Sequence, residues 1–309
     1  MTHVTVLMGG VSAEREVSLV SGKACAAALQ QVGYRVSTID VSADVRHLVH
    51  QLAPAEGQPP DVVFNALHGN PGEDGSIQGL LEMLGLPYTH SGIMASAIAL
   101  DKVMARRIFQ GAGLRCAEGR VCSVEELRRG DPMPRPYVVK PIREGSSVGV
   151  HIVRAGGNAA PLDLGNWGFG GHALVERFIE GRELTVAVMG DRALAVTELR
   201  PISGFYDYVA KYTEGHTVHI VPAPIPAAVA ERAMHMALTA HQLLGCHGVT
   251  RADLRYDDRT NSPDGVYLLE INTQPGMTPL SLVPEQARHV GIEFPALVKW
   301  MVEDALCRR

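Results

Sequence analysis

Three oxygen-bearing side chains in the C-terminal third of the sequence could together bind a divalent cation. Two segments with strand-like patterns, 249–256 and 266–272, are joined by a polar turn. Alternate side chains of a strand share a face, so Asp253 would meet Glu270 and Asn272 if the two strands pair. Two carboxylates and one amide oxygen form a hard ligand set that suits Mg²⁺ completed by phosphate oxygens. A solvated hairpin face is the alternative interpretation.

The segment Gly145-Ser-Ser-Val-Gly149 permits two interpretations. It matches G-x-S-x-G, the turn that carries the nucleophile of a serine hydrolase, which would make Ser147 the nucleophile. That motif needs a helix after it, whereas residues 150–154 have a strand pattern, so we reject this interpretation. The alternative is a loop whose backbone N–H groups close over phosphates. Lys140, at the end of the preceding strand, would then supply positive charge, although no P-loop pattern occurs.

Two further polar residues lie beside glycines at the ends of predicted strands. Ser12 is placed to cap the first helix, and Glu14 lies in that helix's first turn beside Gly9-Gly10. A carboxylate there could bind a ligand or merely complement the helix dipole. His68 opens a glycine-rich loop, 68–75, at the end of another strand. Ligands of parallel sheets bind beyond the carboxyl ends of the strands, where both loops fall.

The segment 202–219 has the length of a lid and is predicted to be a loop. It contains Tyr206, Tyr208, Lys211 and Tyr212. A lysine on a mobile loop suits late engagement of a transferring phosphate.

The elements that must position these residues change character along the chain. Strand-like runs at 4–8, 34–40 and 61–67 alternate with helical patterns, which favours a parallel, doubly wound sheet. After about residue 90 a helix is predicted over 95–110, followed by strands in antiparallel pairs. The fold class is therefore α/β at the N-terminus and α+β beyond it.

Composition excludes several classes of protein. The chain has 309 residues, 46% of them hydrophobic, so it is not a disordered chain. Its net charge of −5 and interspersed signs give no indication of nucleic-acid binding. Five cysteines without C-x-x-C spacing indicate neither a disulfide framework nor a zinc module. Without a targeting segment or a run of ~18 apolar residues, we expect a soluble, cytoplasmic protein with no membrane partner.

Five ordered blocks resemble those of the D-alanine–D-alanine ligase family, a branch of the ATP-grasp superfamily. The resemblance covers essentially the whole chain. The blocks are Gly9-Gly-Val-Ser-Ala-Glu-Arg-Glu-Val-Ser18, Ala66-Leu-His-Gly-Asn-Pro-Gly-Glu-Asp-Gly75, Lys140-Pro-Ile-Arg-Glu-Gly-Ser-Ser-Val-Gly149, Phe205-Tyr-Asp-Tyr-Val-Ala-Lys-Tyr212, and Glu270-Ile-Asn-Thr-Gln-Pro-Gly-Met-Thr278 followed by Ser281-Leu282.

The resemblance implies a fold and an activity. The fold would be an N-terminal doubly wound parallel-sheet domain, 1–92, followed by an ATP-grasp fold with a central lobe, 93–177, and a C-terminal lobe, 178–309. The activity would be ATP-dependent joining of two D-alanine molecules through an acyl phosphate, for peptidoglycan synthesis. A cytoplasmic homodimer would be expected. The nearest rival is a relative that makes D-alanyl-D-lactate or D-alanyl-D-serine, and Tyr212 favours the dipeptide because depsipeptide makers tend to carry Phe there.

The resemblance also implies a role for each matching residue. Glu14 would bind the ammonium of the first D-alanine, linked to Ser146 and Tyr212. The other residues that would bind substrate or the reaction's oxyanion are His68, Arg251, Ser281 and the Gly276 backbone. The residues that would bind ATP are Lys102, Lys140, Ser147 and Lys211 at the phosphates, and Glu176, Ile179 and Glu183 at the adenine and ribose. Asp253, Glu270 and Asn272 would bind two Mg²⁺ ions, with Mn²⁺ as a possible substitute.

Two departures from the family pattern lie beside these residues. Ala252 is smaller than the usual residue between the arginine and the aspartate, and Gln274 stands where Ser is frequent. Neither removes a functional group, but either could alter packing near the metals. The segments 127–136 and 155–172 look shorter than in many relatives, which affects the shape of the central lobe.

Overall fold

The computed structural model describes residues 1–155, 164–165, 167–202, 216–279 and 281–307. Most of the predicted lid, with Lys211 and Tyr212, lies outside the described residues. The described strands form three sheets. Within the same ranges, no helix combines the length and the apolar character needed to cross a lipid bilayer.

The first sheet is parallel, in the order β2-β1-β3, and has helices on both faces. Its apolar strands contact Cys25 and Leu29 of α1 on one face and Leu48 and Leu81 of α2 and α3 on the other. The prediction of a doubly wound sheet is confirmed. The elements are β1 (His3–Gly9), α1 (Arg15–Gln31), β2 (Arg35–Val41), α2 (Val45–Leu52), β3 (Val62–Asn65) and α3 (Ser76–Met83).

The second sheet is antiparallel and has the order β4-β7-β5-β6. Its buried face packs around Tyr137, Val139 and Val175. Helix α6 begins after Ser123, whose hydroxyl accepts a hydrogen bond from the Glu126 amide at 3.1 Å. The elements are β4 (Gly119–Ser123), α6 (Val124–Arg129), β5 (Tyr137–Lys140), β6 (His151–Val153) and β7 (His172–Arg177).

The third sheet is antiparallel and has the order β10-β9-β8-β11-β12. Helix α7 covers one face, burying Val229, Ala233 and Met236. Strand β10 begins at Thr217, so the end of the predicted loop 202–219 is a strand paired with β9. The elements are β8 (Arg182–Met189), β9 (Arg192–Pro201), β10 (Thr217–Ile220), α7 (Ala227–Leu243), β11 (Val249–Tyr256) and β12 (Val266–Asn272).

The single helix predicted over 95–110 is wrong, because the structure has two: α4 (Ile93–Leu100) and α5 (Lys102–Gly111). Asp101 separates them with an extended backbone, φ −82° and ψ 94°. Its carboxylate accepts hydrogen bonds from the Val103 and Met104 amides at 3.1 and 3.0 Å, which caps α5. The break places Lys102 at the first position of a new helix.

The hydrophobic cores cross the boundaries between the predicted domains. Ala99 of α4 and Phe109 of α5 belong to the core around Leu184 of the third sheet. Helices α8 (Leu282–His289) and α9 (Phe294–Cys307) follow β12, and α9 packs against α1 of the first sheet. The division at residues 92 and 177 stays a prediction; each of its ranges contains the strands of one sheet.

Candidate active site

Strands β11 and β12 pair as predicted and bring the oxygen-bearing side chains together. Asp253 lies opposite Glu270, and Arg251 lies opposite Asn272. Leu254 pairs with Leu268, so Leu269 is an extra residue and forms a bulge beside Glu270. Bulges bend a strand and redirect its side chains, and they are common next to active sites.

Each of these oxygen groups has a donor partner. The Asp253 carboxylate accepts hydrogen bonds from Arg251 Nε and Nη2 at 2.9 and 2.8 Å and from Thr185 Oγ1 at 2.8 Å. Glu270 Oε2 lies 3.1 Å from Lys102 Nζ. Asn272 Oδ1 accepts a hydrogen bond from the Gln274 amide at 2.7 Å. The Arg251 and Lys102 contacts neutralise carboxylates that a cation could otherwise bind.

The donor set fits a magnesium ion that takes part of its ligands from elsewhere. Asp253, Glu270 and Asn272 present two carboxylates and one amide on facing strands. Across the described ranges, no group of three or more His, Cys, Asp or Glu side chains is arranged to hold a metal ion. Mg²⁺ usually keeps water and substrate phosphates among its ligands and uses few protein carboxylates, so this smaller set is sufficient.

Two cavities meet at this strand pair. The first cavity is lined by Glu14, His68, Glu73, Ser146, Arg251, Asn272, Gly276 and Ser281, among others. The second cavity is lined by Lys140, Ser147, Glu176, Ile179, Glu183, Asp253 and Arg255, among others. Lys102, Glu144, Gly145 and Glu270 line both cavities. All the predicted site residues that lie in the described part of the chain therefore line one cavity or the other.

Glu14 is positioned by the loops around the first cavity. Its carboxylate accepts a hydrogen bond from the hydroxyl of Ser146. Its amide donates to Ser12 Oγ at 3.1 Å, and Ser12 Oγ donates to the His68 carbonyl at 2.6 Å. The prediction that Ser12 caps the first helix is wrong: α1 begins at Arg15, after Glu14, and Ser12 joins two loops instead.

His68 lies in the first cavity with a carboxylate partner that sequence reasoning missed. His68 is buried; its Nδ1 lies 3.4 Å from Glu73 Oε1, and its Nε2 lies 3.2 Å from Ser21 Oγ. Glu73 is also buried. Its only signal in the sequence was its place five residues after His68 in the same glycine-rich loop.

A buried ionic group forms one wall of the second cavity. Glu176 interacts with Arg106 through Oε1 and with Lys140 through Oε2, the latter at 2.5 Å. All three side chains are buried. Sequence reasoning missed Arg106, although it lies four residues after Lys102 and thus on the same face of α5. Lys140 and Glu176 line the cavity, whereas Arg106 contacts Glu176 without being part of the lining. The group as a whole has two cations to one carboxylate, which favours an anionic ligand nearby.

The loop at 145–149 lacks the surroundings of a hydrolase nucleophile. Ser146 and Ser147 have left-handed backbones, with φ of 49° and 59°. The next element is β6, which begins at His151 and pairs with β5, so a strand follows the motif where a nucleophile elbow needs a helix. The rejection of Ser147 as a hydrolase nucleophile therefore agrees with the structure.

The loop after β12 closes the far end of the first cavity. Ser281 Oγ accepts a hydrogen bond from the Thr278 amide at 2.9 Å and precedes α8. A Cβ atom at Gly276 would lie 2.9 Å from Ser281 Oγ. Glycine therefore lets this backbone approach the serine hydroxyl closely, and both residues face the cavity.

Comparison with known proteins gives consistent matches over the full chain. The family described as D-ala D-ala ligase C-terminus matches residues 128–303, and that described as D-ala D-ala ligase N-terminus matches residues 46–91. Among similar structures is the crystal structure of D-alanine–D-alanine ligase from Bacillus anthracis. It has a TM-score of 0.84 and 30% identity, and the match covers 100% of this chain and 98% of that one. The same enzyme complexed with ATP has a TM-score of 0.80 and 30% identity, with 99% and 97% covered.

Curated relatives are more similar in sequence. The D-alanine–D-alanine ligase of Gluconobacter oxydans is 57% identical over 99% of both chains. That of Granulibacter bethesdensis is 56% identical over 99% of this chain and 98% of its own. That of Acidiphilium cryptum is 55% identical over the whole of both. The chain belongs to the D-alanine–D-alanine ligase family.

Proposed function

We propose that this chain joins two D-alanine molecules into D-alanyl-D-alanine, with ATP converted to ADP and phosphate, as a step in making peptidoglycan. The observation that carries the proposal is the meeting of the two cavities at Lys102, Gly145 and Glu270. The first offers groups for ammonium and carboxylate ions, and the second is lined by Lys102 and Lys140, whose ammonium groups suit phosphates. A carboxylate in the first can therefore reach the terminal phosphate of a nucleotide in the second.

The first step is activation of a carboxylate. A carboxylate is a poor acyl donor at neutral pH, so an oxygen of the first D-alanine attacks the γ-phosphorus of ATP, and ADP leaves. Lys102 and Lys140 bind the phosphates and offset the charge that develops on them. Glu14, held by Ser146, binds the ammonium group of this D-alanine, which fixes the carboxylate in line for attack.

The second step forms the peptide bond. The amine of the second D-alanine, after losing a proton, attacks the carbonyl carbon of the acyl phosphate. The C–N bond forms, and the C–O bond to phosphate breaks through a tetrahedral oxyanion. Arg251 and the Gly276 amide stabilise that oxyanion, a contribution for which loss of one donor typically costs ~10²–10³ in rate. Ser281 binds the carboxylate of this second D-alanine, and the His68–Glu73 pair lines the same cavity.

The last part of the proposal concerns the magnesium ions and the lid. Asp253, Glu270 and Asn272 would hold two Mg²⁺ ions, or Mn²⁺ in their place, and the metal would neutralise phosphate charge and orient the leaving group. Lys102 contacts both Glu270 Oε2 at 3.1 Å and the Glu144 carbonyl at 2.5 Å, which places its ammonium group where the two cavities meet. Lys211 and Tyr212 would close the site, with Lys211 at the γ-phosphate. They lie outside the described residues, so this role rests on the family resemblance, as do the homodimeric state and the cytoplasmic location.

Phosphate release tests the proposal. Purified protein is mixed with ATP, Mg²⁺ and D-alanine, with L-alanine and with ATP alone as controls, and with D-lactate or D-serine offered beside D-alanine as second substrates. We expect release that depends on D-alanine and produces D-alanyl-D-alanine. Phosphate release no greater than with ATP alone would contradict the proposal and would favour the alternative of a nucleotide-binding module without ligase activity. Preferential use of D-lactate would make the chain a depsipeptide ligase, and labelling of Ser147 by a fluorophosphonate would support the hydrolase.

A further inference from the structure

A short linker, residues 178–182, joins the second sheet to the third and forms part of the second cavity. Phe178 and Ile179 of this linker line the cavity, and Glu183 lies at the start of β8 directly after it. Strand β7 ends at Arg177 and β8 begins at Arg182, so residues 178–181 belong to neither sheet. Side-chain contacts are therefore needed to hold this part of the linker against the third sheet.

Arg255 holds the linker through all three nitrogens of its guanidinium group. Nε donates to the Ile179 carbonyl at 3.0 Å, and Nη2 donates to the Gly181 carbonyl at 2.9 Å. Nη1 lies 3.4 Å from Glu183 Oε2. The guanidinium carbon lies 5.3 Å from the centre of the Phe178 ring. One side chain thus contacts both ends of the linker and the carboxylate that follows it.

The register of the sheet explains why this residue can do so. Arg255 on β11 lies directly opposite Glu183 on β8. It shares a face of β11 with Arg251 and Asp253, because the three are spaced by two residues. This face therefore runs from the first cavity, through the proposed metal site, to the second cavity.

The three contacts of Arg255 suit the fixed geometry of a guanidinium group. Its planar group carries five N–H donors in a fixed fork, whereas lysine carries three on one nitrogen. The side chain is only 14% exposed. Burial lowers the pKa of Arg255, and the Glu183 carboxylate acts in the opposite direction. Two carbonyls and a carboxylate thus compensate a charge that would otherwise be costly to bury.

We propose that Arg255 is a positioning residue for nucleotide binding, which fixes the linker and the Glu183 carboxylate so that the second cavity selects a ribonucleotide over a deoxyribonucleotide. The proposal rests on the proposed function for the choice of ATP as the ligand. Glu183 is the group that accepts a hydrogen bond from a ribose hydroxyl. Arg255 also lines the second cavity, and the role proposed for it is to hold this acceptor in place.

Equilibrium binding tests this without any catalytic step. Calorimetric titration without D-alanine gives the dissociation constants of ATP, 2′-deoxy-ATP and 3′-deoxy-ATP for the wild type, Arg255→Met and Arg255→Lys. The matched control is Arg259→Gln. Arg259 also contacts the linker, at Glu180 Oε2 at 2.9 Å, but through a side chain that is 66% exposed. Circular dichroism confirms that each variant is folded, and Arg255→Lys is the alternative if Arg255→Met does not fold.

The expected result is a change in selectivity as well as in affinity. A hydrogen bond to a charged group is worth about ten- to a hundredfold in affinity, so the wild type should bind one of the deoxy analogues less tightly than ATP by at least about tenfold. Arg255→Met should weaken ATP binding and bring the ratio of the two dissociation constants, deoxy analogue to ATP, close to one. The ratio for Arg255→Lys should lie between those of Arg255→Met and the wild type, and the ratio for Arg259→Gln should equal that of the wild type. In a Glu183→Gln background, Arg255→Met should have no further effect on the ratio.

Two results would overturn the inference. One is an equal loss of affinity for all three nucleotides in Arg255→Met, which would mean that the arginine only stabilises the fold. The other is a wild type that binds ATP and both analogues equally. Failure of the proposed function would look different: ATP would bind with the expected selectivity, but no dipeptide would form with D-alanine.

Discussion

The side chain of Gln274 forms two hydrogen bonds with Asn65, one through each end of its amide. Its Nε2 donates to the Asn65 carbonyl, and its Oε1 accepts from Asn65 Nδ2 at 3.2 Å. Asn65 Nδ2 also donates to the Gly72 carbonyl at 3.2 Å. The contact joins the end of β3, and the loop that carries Glu73, to the loop after β12, although 209 residues separate the partners.

Replacing Gln274 should therefore affect both stability and substrate binding. Gln274→Ala removes two hydrogen bonds of the buried Asn65 and takes the Gln274 donor away from its carbonyl, at a cost of about 1–3 kcal/mol; Asn65 Nδ2 keeps its hydrogen bond to the Gly72 carbonyl. We expect a lower midpoint of unfolding in urea and a higher KM for D-alanine, because the loop carrying His68 and Glu73 loses an anchor. The control is Gln242→Ala, at an exposed position of α7. Equal midpoints for the two variants would contradict this account.

Glu270 should be essential for turnover without being essential for folding. It lies where the two cavities meet, and its carboxylate is 3.1 Å from Lys102 Nζ. Glu270→Gln keeps the shape but removes the charge that would bind Mg²⁺, so we expect phosphate release to fall by at least about 10²-fold and the Mg²⁺ dependence to shift to higher concentration. Glu231→Gln, on the exposed face of α7, is the matched control. Near-normal turnover in Glu270→Gln would refute the metal assignment.

The carboxylate of Glu176, which lies between Arg106 and Lys140, should contribute strongly to the stability of the protein. Glu176→Gln leaves two buried cations facing each other, and breaking a buried pair in this way typically costs about 3–5 kcal/mol. We expect a large decrease in the urea midpoint and weaker ATP binding. The exposed pair of Arg120 and Glu126 is the comparison, and Glu126→Gln should change the urea midpoint very little, because solvent screens an exposed ion pair. If both substitutions had the same small effect, the buried group would not contribute as described.

His241 should make stability depend on pH in the mildly acidic range. Burial lowers the pKa of His241 from 6.5 to about 4, and its Nδ1 lies 2.8 Å from Thr250 Oγ1. Between these two pKa values the unfolded chain binds a proton that the folded protein does not, so this histidine lowers the free energy of unfolding as the pH falls from about 6.5 to about 4. The loss is on the order of 3 kcal/mol, and none occurs above pH 7.

Urea unfolding at a series of pH values measures this effect. His241→Asn keeps a polar group near Thr250 but cannot titrate, so its stability should decrease less over the same range. His235→Asn, on the exposed face of the same helix, should follow the wild type. If the free energy of unfolding of the wild type had the same pH dependence as that of His241→Asn, the histidine would not titrate as expected.

The sequence predicted the site better where neighbouring side chains share a strand than where distant segments meet. The spacing of Asp253, Glu270 and Asn272 was sufficient to predict their convergence, because strand pairing alone brings them together. The pairing of Gln274 with Asn65 and of Arg255 with the linker could not be predicted. Both depend on packing between segments far apart in sequence, which leaves no periodic pattern in either segment.

Local capping explains the errors in the predicted elements. The helix predicted across 95–110 has continuous apolar spacing, and only the carboxylate of Asp101, which caps α5, divides it. Ser12 has the type and position of a helix cap, but its hydroxyl donates to the carbonyl of His68 on another strand's loop. In both cases the hydrogen bonds of one side chain differ from what the local sequence suggests, and the start of the helix differs with them.

The central claim is that the first D-alanine becomes an acyl phosphate before the peptide bond forms, and isotope transfer tests it most directly. D-Alanine labelled with ¹⁸O in both carboxylate oxygens is incubated with the protein, ATP and Mg²⁺, and the phosphate and dipeptide are analysed by mass spectrometry. The account predicts one ¹⁸O atom in the phosphate for each D-alanyl-D-alanine formed, because the carboxylate oxygen that attacked phosphorus leaves with it. Dipeptide formed together with unlabelled phosphate would contradict it.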